Sequence, residues 1–151
     1  MALRQLRYFD DEILRKKCKN VEQVDDKVRE LLKDMAETMY HTGNGAGLAA
    51  CQVGILKRLV VIDMGDGLIK LVNPVILASS GVQECVEGCL SFPNRWGKTI
   101  RPKKVTVQAL DENGEEIVLT GEGDLAKCLC HELDHLDGIV FIDKVIEFIK
   151  H

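Results

Sequence analysis

The chain has 151 residues, a formal net charge of −4, 29% charged and 46% hydrophobic residues, the balance of one globular domain that buries roughly 70% of its unfolded surface. An acidic balance without a long Lys/Arg run excludes a direct, electrostatic nucleic-acid binder, and no 18 apolar residues run together to cross a membrane. The charged start MALRQLRYFDDEILRKKCKN has no apolar core for a signal peptide, so the chain is expected in the cytosol, its six cysteines as thiols or metal ligands rather than disulfides.

Residues 21–41 carry Val24, Val28, Leu31, Leu32, Met35 and Met39 at helical spacing, which predicts a first helix stopping at Gly43-Asn44-Gly45. The segment GNGAGLAACQVG (43–54) comes next. No Gly-Lys-Ser/Thr follows, so it is not a phosphate loop. Gly45 and Gly47, with Ala46, Ala49 and Ala50, allow another backbone to come close, and Gln52 offers an amide donor; taken alone, the segment reads as a helix cap and turn. RLVVID (58–63) and LIKLVNPVIL (68–77) are β-type runs.

Within ECVEGCLSFP (84–93), Cys89 follows a glycine after an extended run; a lone cysteine there reads by default as a buried, inert thiol. KVTVQAL (104–110) and EIVLT (116–120) flank Glu112-Asn113-Gly114-Glu115, a hairpin signal. From Asp124 to about Leu136, Leu125, Cys128, Leu129, Leu133 and Leu136 return to spacings of three and four, and DKVIEFIK forms a short amphipathic tail. No linker or repeat divides the chain, so residues 1–151 are expected to form a single domain. The fold class is α+β: antiparallel strands packed around the late helix, with a helix near the N-terminus.

The late helix carries HELDH. His131 and His135, four apart, lie on one face of the helix and can reach one cation. Glu132 projects about 100° away from His131, placed to move a proton of a bound water rather than to ligate. His41 and His151 read as ordinary residues. Two imidazoles do not complete a metal site, and the spacing leaves the third ligand open. The metallopeptidase extension H-E-x-x-H-x-x-G-x-x-H finds Gly138 but ends on Phe141, which cannot ligate. Glu147 is the only later glutamate. Cys128 shares the histidine face but lies about 10 Å along the axis from His135, which suits packing or a pocket wall. Cys130 is off the face, Cys18 has no partner motif, and Cys51, Cys85 and Cys89 remain.

Taken together, GAGLAACQ, EGCLS and HELDH make the chain resemble peptide deformylase, which removes the formyl group from the N-terminal methionine of new bacterial chains. The likeness also takes in FDDEILRKKCKNV and HLDGIVFIDKV, and so spans nearly the whole chain. The resemblance implies Cys89 as third ligand beside His131 and His135, and Fe²⁺ as native ion, with Zn²⁺, Ni²⁺ or Co²⁺ able to substitute. It implies Glu132 as general base and acid, and Gln52 and the Leu90 backbone N–H as donors to the formyl oxygen. Ala46 and Gly47 would pair with the peptide, and Cys128 would line the methionine pocket. Glu87 is expected to pair with Arg101, while Asp134 is either structural or a surface acid. Asp124 and Lys127 depart from the family by charging a turn that is often apolar. The implied partners are N-formyl-methionyl nascent peptides near the ribosome exit site, met by a cytoplasmic bacterial monomer. Two rivals stand beside this reading: a zinc metallopeptidase, and a structural metal module with Cys85 as fourth ligand.

Overall fold

The computed structural model describes residues 3–43 and 46–149; the expectations for Asn44, Gly45 and His151 fall outside them. The first helix, α1, runs Asp26–Thr42, later than the apolar periodicity suggests. Asp25 is extended and its side chain accepts from the Val28 N–H, which satisfies one of the four unpaired N–H groups at a helix start. Val21 and Val24 precede this cap and pack on the same core from irregular chain.

Gly47–Ala49 forms β1, Leu59–Ile62 β2 and Ile69–Ser80 β3. After them come Gln83–Cys89 as β4, Phe92–Arg101 as β5, Lys104–Leu110 as β6 and Glu116–Glu122 as β7. The second helix, α2, spans Asp124–Leu136, and Glu147–Ile149 closes the described chain as β8. One antiparallel sheet has the order β1-β2-β3-β6-β7 and a smaller one β4-β5-β8.

All four residues of β2 are buried because the large sheet is covered on both faces. Alternate side chains of a strand point to opposite faces. Leu59 and Val61 pack with Val28, Leu32, Met35 and Met39 of α1. Val60 and Ile62 join Ala126, Leu129, Leu133 and Leu136 of α2. The α+β expectation holds, and α2 lies where the sequence places it. Strand β5 is absent from the expected strands: Pro93, Asn94 and Gly97 break its hydrophobic alternation, and Asn94 has a φ of 64°. The expected amphipathic tail becomes β8, with Ile149 opposite Trp96.

Candidate active site

Two elements build the site. Helix α2 presents His131, Glu132 and His135, all buried. Strands β4 and β5 meet in a tight turn at Leu90-Ser91, with Cys89 and Phe92 paired across it. That turn brings Cys89 against α2: its Sγ lies 3.3 Å from His135 Nε2, across 46 positions of sequence. One ligating atom from each of Cys89, His131 and His135 falls within 4.8 Å of the others. Among the described residues this is the one such group of His, Cys, Asp and Glu.

The donor set fits a divalent ion. His131 Nδ1 donates to Glu87 Oε1 at 2.8 Å, so its Nε2 is left to ligate, the usual way a carboxylate fixes a metal-binding imidazole. Burial lowers the pKa of His131, but the charge of Glu132 and the hydrogen bonds of Cys89 and Glu87 outweigh it and hold the pKa well above the usual value. An anionic field of that kind favours a cation at the imidazole. His135 stays well below its ordinary value, by burial and the proximity of His131, and a neutral imidazole is the ligating form.

Glu87 anchors this arrangement. Arg101 donates to it through Nε at 2.6 Å and Nη2 at 2.8 Å, and Thr99 adds a short hydrogen bond. Burial alone would raise the Glu87 carboxyl, but the hydrogen bonds from Arg101, His131 and Thr99 hold it well below the carboxylate range. Arg101 also donates to Asp134 Oδ2 at 2.6 Å. The expected Glu87–Arg101 pair is therefore present, and Asp134 is its outer link.

Glu132 points into the cleft and its Oε1 has no hydrogen-bond partner. Burial pushes its carboxyl up to about 7, where it can both take and return a proton near neutral pH. Gln52 is buried; its Oε1 accepts from the Ala49 N–H at 2.9 Å. That contact turns Nε2 toward Ser91 Oγ, at 3.2 Å, and Cys89 Sγ, at 3.4 Å. Leu90, Ala46 and Gly47 line the same cleft. A Cβ on Gly47 would stand 2.7 Å from Glu132 Oε2 and 3.0 Å from Cys128 Sγ, so only glycine lets β1 lie this close to the helix. Cys128 is buried on the wall of the cleft, and burial raises its thiol pKa.

The geometry favours neither rival. Phe141, at the metallopeptidase ligand position, stacks beside His131 with ring centroids 6.0 Å apart. Cys85 stands outside the three-residue group, paired in register with Thr99. Sequence reasoning passed over Ser91, although it sits inside EGCLS and holds the Gln52 amide. It gave no site role to Arg95 or Trp96, which also line the cleft and lie in the strand without periodicity.

A family profile described as Polypeptide deformylase matches residues 3–150. Peptide deformylase 2 of Clostridium acetobutylicum is 66% identical over 150 residues, which cover 99% of this chain and 100% of that one. The crystal structure of a peptide deformylase from Thermotoga maritima superposes with a TM-score of 0.92 at 39% identity, covering 95% of this chain and 97% of that one. A class I type b peptide deformylase from Acinetobacter baumannii, solved with Met-Ala-Ser bound, has a TM-score of 0.88 at 30% identity, covering 95% and 98%.

Proposed function

The chain belongs to the peptide deformylase family and removes the N-formyl group from newly made polypeptides; from that membership we propose how its residues divide the work. The carrying observation is the convergence of Cys89, His131 and His135 on one point, in a cleft also lined by Glu132 and Gln52.

In this reading Cys89, His131 and His135 hold a divalent ion, Fe²⁺ by family resemblance, with Zn²⁺, Ni²⁺ or Co²⁺ as substitutes. When bound, such an ion supplies Lewis acidity, lowering the pKa of water and polarising a carbonyl oxygen. Glu132 takes the proton of the water that attacks the formyl carbon. Glu132 then gives that proton to the methionine nitrogen as the C–N bond breaks, leaving formate and a free α-amino group. Charge gathers on the formyl oxygen, where the Gln52 Nε2 amide and the Leu90 N–H donate; one such donor is worth about 3–4 kcal/mol in a typical oxyanion site. Ala46 and Gly47 pair with the peptide as an added strand, and Cys128 walls the methionine pocket. Residues 1–151 act as one catalytic unit.

No described helix is long and apolar enough to cross a membrane. We place the enzyme in the bacterial cytoplasm as a monomer that meets formyl-methionyl chains as they leave the ribosome. The test is formate release from formyl-Met-Ala-Ser by anaerobically prepared protein loaded with Fe²⁺ or Ni²⁺. Rapid release with the internal peptide bonds intact is expected. Folded, metal-loaded protein that yields no formate would overturn the reading.

A further inference from the structure

We propose that the mouth of the cleft selects formylated peptides with an acidic side chain one or two residues after the methionine, with Lys127 and Arg95 as the recognising cations. This rests on the deformylase reading and adds a substrate preference to it. The cleft encloses about 600 Å³. Its charged lining divides by depth. Glu87 and Glu132 are buried at the inner end, where one is tied to Arg101 and His131 and the other faces the reacting groups. Among the described residues the charged side chains at the exposed end are Arg95 and Lys127, and no carboxylate lines that end. In a chain of net charge −4, a mouth whose described charges are both positive runs against the overall balance.

Both cations are held without being neutralised. Lys127 Nζ donates to the Val86 carbonyl at 3.3 Å, a link from α2 across to β4. Its nearest acid, Asp124, is 3.9 Å away with its side chain 81% exposed, a pairing worth little in water. The Arg95 guanidinium rests over the Phe148 ring, 5.5 Å from the centroid, which positions it without cancelling its charge. Next to it, Trp96 packs closely against Gly88, where a Cβ would meet the indole at 2.6 Å. This packing fixes the wall from which Arg95 projects.

Distance assigns the peptide positions. Lys127 is four residues before His131 on α2, about 6 Å along the axis. An extended peptide advances about 3.3–3.6 Å per residue, so a peptide leaving the metal group along α2 passes Lys127 within about two residues of the methionine, and Arg95 lines the same cleft.

The experiment compares formyl-Met-Glu-Glu, formyl-Met-Ala-Ser and formyl-Met-Lys-Lys on the Ni²⁺-loaded enzyme at low and high salt. Attraction of one peptide and repulsion of the other should separate their kcat/KM values by about tenfold at low salt. Screening at 1 M salt should close the gap. Trp96 is the single tryptophan of the chain, so its fluorescence should report the same order for binding of Met-Glu-Glu and Met-Lys-Lys, without turnover. In the Arg95→Gln/Lys127→Gln protein the ratio should approach one, and Arg95→Glu/Lys127→Glu should reverse it. Equal kcat/KM for the three peptides in the unaltered enzyme overturns the inference alone. A tenfold ratio that survives the double substitution overturns its assignment to these residues. No formate from formyl-Met-Ala-Ser defeats the deformylase reading, and this inference with it.

Discussion

Arg101→Met should destabilise the protein severely, because it strands Glu87. The Arg101 side chain is 5% exposed and that of Glu87 2%. Arg101 makes two of the hydrogen bonds that hold Glu87 and one to Asp134. Removing one partner of a buried ion pair costs about 3–5 kcal/mol. For a chain of this length the unfolding entropy corresponds to about 0.3 kcal/mol per degree, so the midpoint should fall by about 10–15 °C. Circular dichroism melts of metal-free protein measure this without stabilisation by bound ion. A second effect should accompany the first. Glu87 orients His131, and loss of such a supporting contact weakens metal binding about 10–100-fold, which competition with a chromophoric chelator measures. Adding Glu87→Gln should restore much of the melting temperature, since the unpaired charge is then gone. A melting point within about 3 °C of the unaltered protein for Arg101→Met would refute the claim that this pair is buried and coupled.

Three further outcomes follow from the same geometry. Glu132→Ala should abolish formate release, by about a hundredfold or more, while metal analysis finds the ion still bound; near-normal turnover would remove Glu132 from its role. Cys85→Ala should keep its full metal content, because Cys85 stands outside the ligand group; metal loss would revive a closed structural site. Asp25 caps α1, and its bond to the Val28 N–H holds its carboxyl below the ordinary value. The folded state then prefers the charged form, so the cap stabilises above the unfolded carboxylate pKa near 3.8 and weakens as pH falls through the lower folded value. The melting-point difference between the unaltered protein and Asp25→Ala should therefore be full at pH 6 and shrink below pH 4; a constant difference would mean that the carboxylate is not the cap.

How far the sequence could be read depended on whether a signal was local. Helix α2 was legible because Leu125, Leu129, Leu133 and Leu136 repeat with the period of the buried face. HELDH was legible because side chains at i and i+4 meet on any helix. The strands β2, β3, β6 and β7 announced themselves by alternation or by apolar runs. Cys89 carried no local mark as a ligand. Its place beside His135 depends on the β4–β5 turn folding back over α2, a contact 46 positions apart. Only the likeness to a known family pointed to it. Strand β5 was hidden because its ladder, not its composition, keeps it extended, and Arg95 and Trp96 were hidden with it.

Ordinary packing rules explain why so few residues carry the chemistry. The ligands are gathered by two rigid pieces, α2 and the β4–β5 turn, and each is locked by contacts outside the metal group. Glu87 and Arg101 join the two: Glu87 leaves β4 to reach His131, and Arg101 leaves β5 to reach Asp134 on the same helix. The cross-links span one pair of elements at two points, so they oppose rotation of α2 as well as its departure from the sheet. A rotation of that kind would swing His131 and His135 away from Cys89 together. A buried salt bridge is weak evidence for stability, and here it makes better sense as a device for register. Replacing both Glu87 and Arg101 with apolar residues should therefore weaken metal binding about 10–100-fold while leaving the melting point of the metal-free protein within about 3 °C of the unaltered one.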